Sequence, residues 1–397
     1  MSTIFNKDGT LDSKAFEALL KDVIMSPMDK GNKPYNFANF ANLVIKDNID
    51  YGILWGSRGL GKSTQVAAYI LRKIYEKGGE FFYIRRYKEE IAPIMVTGWV
   101  GNLDISKLTD GVWDSIHAYN KIIYFAKHDK TGKIKTKKQI GWYEALNVAG
   151  NNKSLQFPFV NDIVMEEMVP EDKPWLNREP SRLESFISTI VRDRKDITTW
   201  MIGNTTTKLC PYIKDWGLDR MPKMKPGQVD RYDKHVSVRD EAGLHETVVT
   251  YMVDNCKGLG LFGRVMAGEG SNQIVSNSFT TFSQPTVRAD FIDECDILYH
   301  MYLFYQNLAF KMEFIRASAT DYFWYVKPAK NGLKIEDLQD DRVLTDVVDF
   351  NPLHTGISPV SNKEKRVFGY FSLNKVFYSD NETGTDFKQC WQALLRR

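Results

Sequence analysis

The stretch Tyr51-Gly52-Ile53-Leu54-Trp55-Gly56-Ser57-Arg58-Gly59-Leu60-Gly61-Lys62-Ser63-Thr64 decides the fold. Its first five residues read as a short buried strand. Gly56 to Ser63 then spell G-x-x-x-x-G-K-S, a complete phosphate-binding loop. From Ser63 a helical pattern runs to about Glu76 and stops at Gly78-Gly79. In that order, successive backbone N–H groups wrap phosphates, glycines permit their close approach, and the helix adds its positive end. The spacing assigns Gly56, Ser57, Arg58, Gly59, Leu60, Gly61, Lys62, Ser63 and Thr64 to ATP. Lys62 is placed to reach the β- and γ-phosphates and Ser63 to hold Mg²⁺.

Working outward, a helix is expected over about Ser13 to Met25, apolar at Phe16, Leu19, Leu20 and Val23, followed by an Asn-rich loop up to residue 50. Phe81 to Ile84, Phe159 to Met165 and Thr199 to Ile202 read as further strands. Lys121 to Phe125 and Ile140 to Tyr143 read as the arms of a hairpin. Strands alternating with helices around a glycine loop predict an α/β domain with a parallel sheet covered on both faces.

Prolines at Pro211, Pro222, Pro226 and Pro285, and five glycines between Gly258 and Gly270, predict a linker with short helices. Beyond Ala289, the aromatic-rich runs Leu298–Phe304, Tyr322–Val326 and Val367–Phe371 lie between turns. With a closing helix over Asp386–Leu395, they predict a smaller α+β domain. The expected division is an ATPase domain over 1–235, a linker over 236–288 and a C-terminal domain over 289–397.

Hydrolysis requires a metal-side carboxylate and a base that positions water, and an apolar strand ending in acids beside the loop supplies both. Ile163-Val164-Met165-Glu166-Glu167 fits, with Glu166 on Mg²⁺ and Glu167 on the water. A polar residue at the end of a further strand senses the γ-phosphate, and Asn204 is that candidate. Ile190-Val191-Arg192-Asp193-Arg194 offers two arginines after a helical segment, and an arginine presented to a neighbour's γ-phosphate accelerates transfer by orders of magnitude. Between Lys127 and Lys138 stand six lysines and one acid, an extended basic hairpin suited to tracking a DNA backbone. Lys133, Lys135, Lys137 and Lys138 are its candidate DNA contacts.

Bulk properties set limits. The 397 residues are 43% apolar and 26% charged, an ordinary globular composition with room for two domains. A net charge of +3 is too small to mark a nucleic-acid binder, so any basic surface is local. The scattered Cys210, Cys256, Cys295 and Cys390 show no metal-like pairing and read as reduced thiols of a cytosolic protein. Met1 to Asp12 lacks the order of a signal peptide. The most apolar stretch, Ile297 to Phe310, is too short to span a bilayer, so no membrane partner is expected.

With these residues placed, the chain resembles the genome-packaging ATPases of small short-tailed Picovirinae phages. The likeness is densest at Gly56–Ser63, including Arg58; at Phe81-Phe82-Tyr83-Ile84-Arg85-Arg86-Tyr87-Lys88; and at Ile190–Arg194. It spans roughly residues 51 to 212, and beyond that only Phe262-Gly263-Arg264 resembles the family's linker. The resemblance implies an additional-strand, terminase-like P-loop ATPase, with Arg192 as the finger acting in trans and Lys153 also acting across a subunit interface. Where the family usually has aspartate on the metal side, this sequence has Glu166, which leaves the division of labour between Glu166 and Glu167 open.

The resemblance further implies a homopentameric ring on the portal vertex of an empty procapsid, pumping double-stranded DNA in the host cytoplasm and absent from the mature virion. A packaging RNA is a further candidate partner. The C-terminal domain is expected to be RNase H-like without its nuclease centre, and the expected first strand, Leu298 to Phe304, carries no carboxylate for metals. Asp290, Asp293, Glu294 and Asp296 are expected before it. Rival readings are a DNA-stimulated ATPase or helicase without a capsid partner, a terminase with an active nuclease, and a nucleotide-gated DNA-binding scaffold.

Overall fold

In the computed structural model the decisive strand, β1 (Tyr51–Gly56), is buried along its whole length. The structure describes residues 3–25, 35–57, 59–149, 155–170, 174–192, 194–204, 209–240, 243–257, 284–306, 308–347, 351–355, 358–359 and 361–395. It divides into two compact units, Met1–Thr205 with Pro211–Val265, and Thr206–Cys210 with Met266–Arg397.

In the first unit, α1 (Ser13–Val23) is capped by Asp12, whose side chain accepts from the N–H groups of Lys14 and Ala15, and it buries Phe16, Leu19, Leu20 and Val23. The segment expected as an Asn-rich loop contains a helix, α2 (Phe37–Lys46). Its asparagines have jobs that composition hides. Asn36 is the N-cap, and Asn42 accepts from Leu11 N–H (2.6 Å) and donates to Leu11 O (3.0 Å). The helix forms because Phe37, Ala38, Phe40, Ala41 and Val44 bury one face.

After β1 come α3 (Lys62–Lys77), β2 (Glu80–Arg85), α4 (Pro93–Trp99), α5 (Ile105–Leu108), β3 (Ser115–Tyr119), β4 (Ile122–His128), β5 (Ile134–Ala145) and β6 (Val160–Glu166). They are followed by α6 (Glu179–Val191), β7 (Thr198–Asn204), α7 (Pro211–Trp216), β8 (Val229–Asp240) and β9 (Gly243–Asn255). The nine strands order as β3-β4-β5-β2-β6-β7-β1-β9-β8. From β5 through β9 in that order every neighbour is parallel; the antiparallel pairs are confined to the two edges.

The stretch expected to begin the linker at residue 236 is therefore sheet up to Asn255. Strand β9 lies parallel to β1, with Tyr51 opposite Tyr251 and Trp55 opposite Asn255. The run Val248-Val249-Thr250-Tyr251-Met252-Val253 is β-branched and apolar, and Tyr251, Met252 and Val253 are buried by it. The glycines that suggested a linker start only at Gly258, after the strand has ended, and residues 258–283 lie outside the described residues.

The second unit holds β10 (Asp296–Tyr305), β11 (Leu308–Arg316), β12 (Tyr322–Pro328), β13 (Val343–Thr345), β14 (His354–Thr355) and β15 (Val376–Tyr378), ordered β14-β13-β10-β11-β12-β15. Met301, Leu303, Met312, Phe314, Trp324 and Val326 share a core with Val367, Phe387, Cys390 and Leu394 from the helices Asn362–Ser372 and Asn381–Leu395. Two expectations shift here. Val367–Phe371, expected as a run between turns, is helical: Ser361 caps that helix by accepting from Glu364 N–H (3.1 Å), and Val367 faces the core. Asp296, expected ahead of the first strand, opens β10, where it pairs with Arg316 across the ladder.

Candidate active site

The loop leaves β1 at Gly56, where an added Cβ would lie 3.0 Å from Cys256 Cβ and 3.1 Å from its carbonyl oxygen, so a side chain would press on the Cys256 backbone. Gly59 and Gly61 both have φ +80°, the left-handed conformation that glycine adopts without strain. Gly61 then starts α3 with no side-chain cap, leaving the first-turn N–H groups facing the loop. Ser63 and Thr64 are half-buried on that turn, and Arg58 lies outside the described residues.

Lys62 is buried, and its ammonium donates to Gly56 O (2.9 Å), Ser57 O (2.6 Å) and Asn204 Oδ1 (3.3 Å). Asn204 is delivered by register: β7 runs beside β1 and sets Asn204 opposite Gly56. On the other side of β7 lies β6, with Glu166 opposite Ile202. Loop, asparagine and acid thus share the C-terminal edge of the parallel sheet.

The two acids differ. Glu166 Oε2 accepts from the Tyr83 hydroxyl (3.1 Å) and lies 3.5 Å from Arg85 Nη1, while Oε1 is buried with no hydrogen-bond partner among the described residues. Glu167 turns off the strand with φ +55°; its carboxylate is 35% exposed and accepts from Arg85 Nη2 at 2.7 Å. Burial, reinforced by the Glu166 charge, holds the Tyr83 phenol well above its ordinary range, so it stays a donor. Tyr83 and Arg85 are site residues to which the sequence reading gave no role. The signal available was a tyrosine and an arginine in the second half of a strand that also carries the apolar Phe81, Phe82 and Ile84.

The two arginines after α6 are not equivalent. Arg194 donates to the carbonyls of Phe157, Pro158, Val160 and Ile190 at 2.8–3.0 Å, a structural clamp. Arg192 ends α6 with φ +51°, is exposed, and makes one longer bond to Leu155 O (3.3 Å). Helix α6 is itself anchored by a buried pair, Arg86 with Glu179, at 2.7 and 2.8 Å, and the Tyr212 hydroxyl donates to the same carboxylate. Lys153 lies outside the described residues.

The basic hairpin is real: β4 and β5 pair antiparallel, with Phe125 opposite Lys138 and Ala126 opposite Lys137. Lys133, Lys135, Lys137 and Lys138 are exposed, and Lys137 Nζ stands 4.4 Å from the Tyr124 ring centre. The hairpin is remote in sequence from the loop, and among the described residues no hydrogen bond or ion pair links these lysines to Glu166 or Glu167.

Among the described residues no group of three or more His, Cys, Asp or Glu side chains is arranged to hold a metal. A magnesium ion carried by nucleotide phosphates needs less, namely one hydroxyl, one carboxylate and water. The orphaned Glu166 Oε1 and the Ser63 hydroxyl fit that requirement. Among the described residues no helix is long and apolar enough to cross a membrane.

Fold and site together define a mixed α/β protein in which a glycine loop, an asparagine and two adjacent acids lie at one edge of a parallel-rich sheet. Residues 28–224, just under half of the chain, match the family model of the podovirus DNA encapsidation protein (Gp16). It is 26% identical over 160 residues to the DNA packaging proteins of Bacillus phage phi29 and Bacillus phage PZA, the match covering 40% of this chain and 43% of each relative. The matched region thus spans less than half of those relatives' length. The fold resembles a chain of the bacteriophage Phi-29 viral genome packaging motor assembly, with a TM-score of 0.53 and 16% identity, covering 91% of this chain and 98% of that one.

Proposed function

We propose that this protein is an ATP-driven motor that translocates double-stranded phage DNA into a preformed procapsid through the portal. The observation that carries this is the convergence of Lys62, Asn204 and Glu166 on the edge of one sheet. The strand order supports an additional-strand ATPase, since β7 stands between the loop strand and the acidic strand. The family and the packaging relatives supply the direction of the work.

In this reading ATP lies on the glycine loop and Lys62 exchanges the carbonyls of Gly56 and Ser57 for phosphate oxygens. Ser63 and Glu166 would hold Mg²⁺, whose positive charge would supply Lewis-acid stabilisation of the phosphate oxygens. Glu167 releases Arg85 to orient the attacking water, and Asn204 reports the γ-phosphate to β7. Arg192, exposed at the end of α6, serves the neighbouring subunit's nucleotide in a ring of five, with Lys153 assisting. The lysines of the β4–β5 hairpin contact DNA phosphates. The ring works in the host cytoplasm on the portal vertex, with a packaging RNA as a further partner.

The second unit suits a vestigial RNase H-like domain. Three antiparallel strands, β10 to β12, are extended on the β10 edge by the parallel β13 and β14. Its buried Glu313 is paired to Lys311 (2.8 Å) and Lys327 (2.9 Å), so that carboxylate is already neutralised by two ammonium groups. No DNA cleavage is expected.

The test is ATP turnover by the full chain alone, with double-stranded DNA, and with DNA plus purified procapsids. Turnover should rise with DNA and again with procapsids, and DNA should become nuclease-protected inside them. Turnover stimulated by DNA but indifferent to procapsids would favour a helicase-type enzyme instead.

A further inference from the structure

Glu166 presents its two oxygens unequally. Oε2 has the Tyr83 hydroxyl at 3.1 Å and Arg85 Nη1 at 3.5 Å; Oε1 is buried and has no hydrogen-bond partner among the described residues. A buried carboxylate oxygen left bare is costly unless something outside the chain pairs with it. The Tyr83 ring is itself fixed. It is buried, stands on β2 opposite Val164 of β6, and packs against Trp99 with ring centres 4.8 Å apart. Its hydroxyl therefore reaches along the sheet to the tip of the neighbouring strand, where Glu166 sits.

A glutamate has three side-chain torsions, one more than an aspartate, so its carboxylate is harder to hold in one pose. We propose that Tyr83 is a positioning residue for Glu166. Its hydroxyl pins Oε2, so that Oε1 is presented to the divalent cation of a bound nucleotide. The inference rests on the nucleotide-site reading given above. Tyr83 touches neither nucleotide nor metal and acts only through the carboxylate, in the way that outer hydrogen-bond partners orient metal ligands.

Four full-length proteins test this: wild type, Tyr83→Phe, Glu166→Asp and the double variant. The readout is equilibrium Mn²⁺ binding, followed by the electron paramagnetic resonance signal of the free ion, with a non-hydrolysable ATP analogue present. Binding of the analogue in EDTA is measured alongside. Tyr83→Phe should weaken Mn²⁺ binding roughly ten-fold, the lower range for losing a second-sphere partner, and leave metal-free analogue binding unchanged. In the Glu166→Asp background the same substitution should change nothing, because the shorter acid does not reach the phenol.

Wild-type Mn²⁺ affinity in Tyr83→Phe, or an equal loss in both backgrounds, overturns the proposal. So does a loss of metal-free analogue binding, which would mark Tyr83 as a packing residue. Glu166→Ala separates the two levels of the argument. If it keeps full Mn²⁺ affinity, Glu166 is no metal ligand and the nucleotide-site reading fails with the proposal; if it loses affinity while Tyr83→Phe does not, only Tyr83's role falls.

Discussion

Lys62 Nζ and Asn204 Oδ1 lie 3.3 Å apart, which ties the glycine loop after β1 to the tip of β7 although 142 residues separate them in the chain. The same ammonium donates to Gly56 O and Ser57 O, so one side chain joins the start of the loop to the strand tip. Lys62→Ala should abolish turnover by removing the charge that faces the phosphates. Asn204→Ala should bind a fluorescent ATP analogue within a few-fold of wild type while turning over more slowly. An Asn204→Ala protein with normal turnover would reduce that contact to packing.

Glu167 and Glu166 differ in exposure and in partners. Glu167 is 35% exposed and accepts from Arg85 Nη2 at 2.7 Å, whereas Glu166 keeps a buried oxygen with no hydrogen-bond partner among the described residues. Glu167→Gln should keep ATP binding and lose about 10²–10⁴-fold in turnover, the range for a general base. Should Glu167→Gln hydrolyse normally while Glu166→Gln is dead, the two assignments are exchanged.

Neutralising Lys133, Lys135, Lys137 and Lys138 together should weaken binding to double-stranded DNA evenly across sequences. Each lost phosphate contact should flatten the slope of log K against log salt by about one. All four are exposed, so the fold should be unaffected. A titration with unchanged slope would leave this hairpin a solvated surface.

Asp254 predicts a pH dependence of stability. It is buried on β9 and accepts from the Tyr35 hydroxyl at 2.6 Å; burial raises its carboxyl from 3.8 to about 6, with that bond acting the other way. The folded state therefore favours the protonated acid. The cost of its charge is present in full above about pH 6 and is relieved as pH falls from 6 towards 4. Asp254→Asn keeps an acceptor for Tyr35 and removes the charge, so it should stabilise the first unit at pH 7.5 by about 1–3 kcal/mol. Urea unfolding at pH 7.5 and pH 4.5 checks this, the gain being expected to fade at the lower pH.

Arg192 carries the prediction about assembly. Arg192→Ala should bind ATP nearly as well as wild type and hydrolyse it poorly, because the guanidinium stabilises charge that develops in the transition state. Mixing Arg192→Ala with Glu167→Gln, both dead alone, should recover part of the activity once DNA and procapsids assemble rings. Only interfaces pairing an intact Glu167 with a neighbour's intact Arg192 can produce that rescue. Mixed rings that form but stay inactive would rule out action in trans.

By itself the sequence determined whatever is local. The glycine loop, the apolar strand ending in Glu166-Glu167 and the lysine hairpin are contiguous, and their spacing carries their chemistry. Segments whose residue types have several uses were decided only by packing. The asparagines around α2 serve as cap and clamp rather than loop formers, and the β-branched run ahead of Gly258 became a strand because β1 offered it an edge. The pairing of side chains across strands was likewise beyond the sequence. Tyr83 meets Glu166 across 83 residues and Arg85 meets Glu167 across 82, distances set by the register of β2 on β6. The difference in partners between Arg192 and Arg194 belongs to the same class. The tripeptide Arg192-Asp193-Arg194 offers both, and only the folded chain spends Arg194 on four carbonyls while leaving Arg192 at the surface, because hydrogen-bond partners are assigned by where the backbone passes and not by the residue's neighbours in sequence.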